Sequence, residues 1–363
     1  MELKIINNSS EFHPVVDVIY QGDPNHIKHL ESDIDAIFDR SHKKFKRGDA
    51  QRWVLYENST PIGRIAAFYE DKNGKRFGGW GFFECINHDN AAKKLILEAE
   101  NWLKQLNAEK ILAPVNFGSR DAYWGLLISS TTYPSYQENY QPAYYQKWFK
   151  EMGYGLEIEQ TTYELVEKDF NIERFSKIAE RTMGNTQYRF EVLDYSRLDQ
   201  FAADFVSVYN KAWTFHEDFE PLEVDEILKR FKSMKPAVIP EMIVFAYHEQ
   251  EPIGFYVNIL ELNSIFKDFG GKLTLWNKLR FLMSKGKIDR CRGVVFGIIP
   301  EYHNKGVEAG MIMKSYEGAK KIEKIKSIEL AWIGDFNPKM LSMLSSLGAK
   351  LTKTHHTYSK IFS

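Results

Sequence analysis

Gly293-Val-Val-Phe-Gly-Ile-Ile-Pro-Glu-Tyr-His-Asn-Lys-Gly306 runs directly into the apolar-periodic stretch Val307 to Lys321. Val294 to Ile299 read as a strand that Pro300 ends, and Gly306 closes a short polar turn before a helix. A helix start leaves its first backbone N–H groups without intrahelical partners, and the helix dipole favours negative charge there. A strand–turn–helix unit with glycine in the turn is therefore a seat for a phosphate or pyrophosphate. It places the chain among mixed α/β folds.

Working outward, the 363 residues are long for one domain and comfortable for two. No run approaches the roughly 20 apolar residues of a membrane span. The first residues, Met-Glu-Leu-Lys-Ile-Ile, lack the layout of a secretory signal. Cys85 and Cys291 are the only cysteines, which excludes a disulfide framework and a cysteine-based zinc site. Both sit in apolar strands and read as buried, inert thiols. His355-His356 reads as an exposed pair near the last strand and has no carboxylate or cysteine at ligand spacing, so no metal is expected. These features point to the cytoplasm, and a net charge of −1 does not advertise a nucleic-acid partner. Charge is uneven, however. Lys267 to Arg292 carries eight basic residues against Asp268 and Asp289, and Arg40 to Arg52 carries six against Asp49. Each reads as a solvated face or as a guide for a polyanionic ligand.

The chain repeats one grammar. Thr60-Pro-Ile-Gly63 and Glu251-Pro-Ile-Gly254 each open the second strand of a hairpin. An apolar strand follows each (Gly79 to Ile86; Gly293 to Ile299), then an amphipathic helix (Ala91 to Leu106; Val307 to Ile322). Next come a strand (Lys110 to Phe117; Ser327 to Ile333) and a helix ending in glycine (Tyr144 to Met152; Pro338 to Leu347). The spacing predicts two lobes, 1–165 and 191–363, joined by a helical connector over 166–190. Each lobe has its own insertion, Gly118 to Pro142 and Leu262 to Ile288, the latter with an amphipathic helix near Leu273 to Met283. The first insertion and its following helix gather Tyr123, Trp124, Tyr133, Tyr136, Tyr140, Tyr144 and Tyr145. Phe215, His216 and Phe219 stand beside Trp213. Such residues suit the wall of an acceptor cleft, or lobe–lobe packing.

The run His303-Asn304-Lys305-Gly306-Val307-Glu308 resembles the acyl-CoA motif of the GNAT superfamily of N-acyltransferases, Arg/Gln-x-x-Gly-x-Gly/Ala. His stands where Arg or Gln is usual, and Glu where Gly or Ala is. The order strand, strand, strand, helix, strand, helix, strand is that of a GNAT fold, and it occurs twice. The resemblance implies a tandem GNAT architecture with an α+β mixed sheet, and acetyl-CoA or another acyl-CoA as donor substrate. His303, Asn304, Lys305, Gly306, Val307 and Glu308 would hold the pyrophosphate, with Glu308 either turned outward or obstructing it. Ile298 or Ile299 N–H would polarise the acyl carbonyl. Glu301, Glu329 and Asp335 are the candidate bases. The superfamily's acidic Tyr would follow Asn337, but Leu344 occupies its place; Tyr302 and Tyr358 are substitutes. The first lobe lacks the glycine turn, and Asp89 at its helix start would repel phosphate. That lobe is expected to be non-catalytic and to shape the acceptor pocket or act as a partner.

Nearly the whole chain resembles a group of bacterial two-lobed GNAT-like proteins, through Gly81-Phe-Phe-Glu84, Ala113-Pro-Val-Asn-Phe117, Pro142-Ala-Tyr-Tyr145, Tyr209-Asn-Lys-Ala-Trp213, Glu301-Tyr-His-Asn-Lys-Gly-Val307 and Ala331-Trp-Ile-Gly-Asp-Phe-Asn337. The leading expectation is an enzyme, an acyl-CoA-dependent N-acyltransferase acting on a small or medium-sized amine. Two alternatives stand beside it. One is a Fem-like aminoacyl transferase using aminoacyl-tRNA, which the basic insertion favours. The other is a non-catalytic binding or scaffold protein with a degenerate site.

Overall fold

The computed structural model describes all residues except 73, 119, 121, 215–218 and 363, and for residue 331 only the backbone. Its strands are β1 (Glu2–Ile5), β2 (Gly48–Glu57), β3 (Thr60–Lys72), β4 (Lys75–Cys85), β5 (Lys110–Ala113), β6 (Leu126–Ser130), β7 (Gly155–Val166), β8 (Tyr188–Val192), β9 (Val238–His248), β10 (Glu251–Leu260), β11 (Arg290–Ile298), β12 (Ser327–Gly334) and β13 (Lys350–Ile361). They form one mixed sheet in the order β1-β2-β3-β4-β5-β13-β7-β12-β11-β10-β9-β8, with β6 pairing β13. The hairpins read from the two Pro-Ile-Gly turns are β2–β3 and β9–β10. Asn58 and Ser59 both adopt positive φ in the first of them. Such a turn matches the right-handed twist of its strands.

Helix Asp89–Gln105 shows why periodicity located the elements. Ala91, Ala92, Leu95, Ile96, Ala99 and Leu103 recur on one face and are all buried. Each large one contributes roughly 1.5–3 kcal/mol by leaving water. Helix Val307–Ile322 does the same for the second half, packing on β9 and β10 and on helix Ile172–Met183. Two aromatic-rich cores result. One gathers around Trp53, Trp80, Tyr145 and Phe149, the other around Phe201, Phe245, Phe255 and Met311.

The sheet is continuous because the halves exchange their last strands. β7 closes the first half in sequence, yet it pairs with β12 of the second along Ser327↔Val166 to Gly334↔Gln160. β13 closes the second half, yet it pairs with β5 of the first along Tyr358↔Ala113 to Ile361↔Lys110. β7 and β13 pair antiparallel with each other at the centre. β6, from the first insertion, adds a further ladder to β13.

A chain ending at Ala349 is therefore expected to lose cooperative unfolding in both halves. Thermal melting followed by far-ultraviolet circular dichroism checks this. A cooperative transition retained by the first half would show that the exchange does not couple them.

Candidate active site

In each half a pair of parallel strands starts together and then parts. β11 and β12 pair only over Arg290–Gly293 and Ser327–Leu330, after which β11 follows β10 and β12 follows β7. β4 and β5 pair over Phe77–Gly79 and Lys110–Leu112. The first fork is then bridged, since Val115 N–H donates to Trp80 C=O at 2.9 Å. A Cβ on Gly81 would lie 1.9 Å from Val115 O.

At the second fork the backbone chooses between the two candidate amides. Ile299 N–H donates to Ile253 C=O at 3.0 Å. N–H groups alternate sides along a strand, so Ile298 N–H faces the parted side. Beyond it Pro300–Tyr302 forms a single tight turn, and His303 Nε2 lies 2.9 Å from Ile298 O, which makes Nε2 the protonated nitrogen. Gly306 has φ +82 and precedes helix Val307–Ile322, whose start has no side-chain cap. Glu308 does not bond to these amides: one of its carboxylate oxygens is buried with no partner. The glycine is needed for more than its φ. A Cβ there would lie 2.4 Å from Thr182 Oγ1 and 3.1 Å from Ile178, both on helix Ile172–Met183. Asn304 and Lys305 are exposed, with Lys305 Nζ 4.8 Å from the Tyr302 ring centre.

The remaining candidates scatter. Glu301 and Asp335 are exposed, and Asn337 caps helix Pro338–Leu347 by accepting from Met340 N–H at 3.2 Å. Tyr358 lies in the first half's core, its ring 4.8 Å from that of Phe149. Glu329 is fully buried at the paired base of the second fork. It meets Arg290 and Arg292 of β11 and Lys353 of β13, the last at 2.7 Å, and accepts from Ser135. Lys353 also binds Glu138 of the first insertion. Burial opposes the charge on Glu138, but Lys353 and Arg292 outweigh it and hold the carboxyl below its ordinary range. Burial likewise opposes the Lys353 ammonium, which Glu138 and Glu329 nevertheless keep charged.

Above this cluster a cavity of about 10 Å³, the space of one water, lies against both halves. Tyr123, Trp124 and Glu138 line it from the first insertion, Gln160 from β7, Arg292 and Trp332 from the fork, and His355 from β13. Trp124 Nε1, Gln160 Nε2 and Arg292 Nε are buried without hydrogen-bond partners. Buried donors left unpaired cost about 1–3 kcal/mol each, and one water, which the cavity has room for, is a sufficient acceptor for them. His355 is buried rather than exposed, as its place beside His356 suggested. Burial lowers its pKa, and its Nε2 lies 3.0 Å from Asn139 O, which leaves Nδ1 as the lone-pair nitrogen. Tyr123 also packs its ring against His29 and Phe82. Trp213 instead stacks on Tyr209 and Phe255 in the second core. Phe215 and His216 lie outside the described residues.

One titratable cluster escaped sequence reasoning. Arg64 of β3 is paired in register with Glu84 of β4. Glu84 accepts from Tyr20 at 2.7 Å and Tyr145 at 3.0 Å, and burial raises its pKa to about 7 against the pull of Arg64. His13, His26, Lys28, His29 and Tyr140 complete the wall of a second water-sized cavity. Burial lowers His26 to about 4 and His29 to about 3. The signal was present: Arg64 and Glu84 are lone charges inside apolar strands. The equivalent register pair of the second half is Phe255 and Gly297, with Trp213 filling the space beside the glycine. Cys85 and Cys291 are buried, and burial lifts both thiols to about 12.

Lys353→Ala is expected to cost about 3–5 kcal/mol, because it strands buried carboxylates; urea unfolding measures it. Glu84 has a raised pKa in the folded chain, so its contribution is full below the unfolded value near 4.3 and is lost as pH rises through about 7. Glu84→Gln should remove that slope, a difference of at most ~4 kcal/mol between pH 4 and 8. Unfolding midpoints of the two proteins that run parallel across that range would contradict it.

No family model matches the chain. It is 23% identical over 354 residues to Protein YghO of Escherichia coli (strain K12), covering 94% of this chain and 90% of that protein. It is 21% identical over 351 residues to the bacterial ceramide synthase of Caulobacter vibrioides (strain NA1000 / CB15N), covering 93% and 91%. Among solved structures, a tandem GNAT protein from the clavulanic acid biosynthesis pathway superposes with TM-score 0.61 at 10% identity, over 99% of this chain and 98% of that one. A glucosamine N-acetyltransferase region of a fungal multi-domain beta-N-acetylglucosaminidase gives 0.60 at 10% identity; 99% of this chain is covered, and it spans 38% of that larger chain. With two forked strand pairs, a helix after each fork and whole-length likeness to a tandem GNAT protein, the chain has the tandem GNAT fold.

Proposed function

We propose that the protein is an acyl-CoA-dependent N-acyltransferase that works at the second fork and carries an acetyl or longer acyl group to an amine. The observation that carries this reading is the fork itself. Ile298 N–H faces the parted side of β11, and the cavity lined by Arg292 and Trp332 lies at the base of the same fork. Ile298 N–H would donate to the thioester carbonyl as negative charge develops on its oxygen. The uncapped amides of Val307, Glu308 and Ala309, with Lys305 beside them, would take the pyrophosphate.

The amine nitrogen would attack the carbonyl carbon; the C–N bond forms, the C–S bond breaks, and the thiolate leaves with the pair. The proton from nitrogen needs an acceptor. Glu329 and Glu138 are committed to cations, whereas His355 is held neutral by burial with Nδ1 unprotonated. His355 is therefore our choice of base in place of Glu301, Glu329 or Asp335. The relative named a bacterial ceramide synthase bears on the acceptor: a ceramide is the N-acyl derivative of a long-chain amino alcohol. That name, at 21% identity, favours an amine on a long chain.

Acyl-CoA esters are expected to raise the melting temperature, since a ligand held only by the folded state stabilises it. Lys305→Glu should weaken that response several-fold. His355→Gln, which keeps a donor for Asn139 C=O, should lower kcat by 10²-fold or more with acyl-CoA binding unchanged. No response to any acyl-CoA would sink the reading; salt-sensitive binding of tRNA in its place would favour the aminoacyl-transferase alternative.

A further inference from the structure

Helix Leu275–Ser284, in the second half's insertion, turns its apolar side to solvent. Leu275 is 84% exposed, Trp276 80% and Met283 75%, with Leu279 and Leu282 about half exposed. At roughly 100° per residue these five side chains fall within an arc of about 120°. They are one face, not scattered exposures, and such a face on a soluble surface marks an interaction site. The opposite side anchors the helix: Phe281 is buried against Phe266. Thr274 caps its start by accepting from Asn277 N–H at 3.2 Å.

Charge frames the face. Lys278 flanks it on one side and Arg280 on the other, with Lys272 before the helix and Lys287 after it, all exposed. Lys324 reaches the same end, its Nζ 3.5 Å from where a Cβ on Gly286 would stand. Asp268, bound to Arg280 at 2.6 Å, is the one acid between Lys267 and Lys287. A protein partner covering such a face would need an apolar groove rimmed with acids. An anionic bilayer supplies both at once, with acyl chains for Leu275, Leu279, Leu282 and Met283, headgroup depth for Trp276, and phosphates for the lysines. No helix among the described residues is long and apolar enough to cross a membrane, so contact would be with one leaflet only.

We propose that helix Leu275–Ser284 is a docking surface for an anionic lipid bilayer, entering the headgroup layer with its apolar face. Gly271, just before the helix, lies against the first half: its C=O accepts from Glu31 N–H at 2.8 Å. Docking would therefore hold both halves in a fixed orientation to the lipid. The proposal does not depend on the reading of the fork.

The test is co-sedimentation of the full chain with vesicles of phosphatidylcholine alone or mixed with phosphatidylglycerol. Binding is expected to the mixed vesicles and to fall at least tenfold with phosphatidylcholine alone or in high salt. Trp276→Glu should abolish it, and Lys278→Glu combined with Lys287→Glu should weaken it tenfold, each with an unchanged melting temperature because these side chains are exposed. A folded wild-type chain that ignores anionic vesicles overturns the proposal. So does a wild-type dimer in sedimentation velocity that Trp276→Glu dissociates while vesicles are ignored, for then a second copy covers the face. Binding that survives Trp276→Glu overturns the assignment to this helix.

Discussion

The antiparallel pairing of β7 with β13 is the constraint on which the rest of the structure depends. Each strand belongs to one half by sequence and lies next to the other half's forked pair in space. Lys353, on β13, carries the point further, since its partners are Glu138 of the first insertion and Glu329 of β12. A buried ammonium between two buried carboxylates is a poor source of net stability, but it tolerates no other register: a slip of one residue would turn Lys353 to the opposite face and leave both carboxylates uncompensated. The cavity beside the second fork inherits its walls from that register, because Gln160 and His355 face it from the two exchanged strands.

The two halves share a scaffold and have parted in chemistry. The register position held by Arg64 and Glu84 in the first is held by Phe255 and Gly297 in the second. The first half keeps charge beneath a layer of histidines and tyrosines, and its fork is bridged by backbone. The second half is apolar at that position, with Phe255 stacked on Trp213 and Phe205, and its forked strands part after Gly293 and Leu330. The two halves thus made opposite choices of polarity at the same place in the scaffold.

Much of the fold was legible because helical and strand periodicities are local. The hairpin turns, the helices after each fork and the basic amphipathic helix of the second insertion stand within a residue or two of where the pattern put them, while the hairpin strands run up to four residues further. The strand exchange was not legible. β7 and β13 carry the same alternation whichever partner they take, and nothing in a single strand names its neighbour. The ion cluster was hidden for a related reason: Glu138, Arg290, Glu329 and Lys353 come from segments far apart in the chain, and each alone reads as a surface charge. For the site, Gly306 was singled out for phosphate, while the structure gives it a packing role as well, against Thr182. His355 looked exposed because it follows a run of polar residues, yet it sits on the inward side of a central strand.

The late position of β13 in the chain has a consequence for biosynthesis. β5 leaves the ribosome with its neighbour still untranslated, and it must wait for more than half of the polypeptide before Tyr358 can reach Ala113. Until then β5 and β7 present open edges that invite pairing with other nascent chains. The exchange that welds the molecule thus holds back its assembly until β13 has been made, a delay that a pair of self-contained domains would not meet.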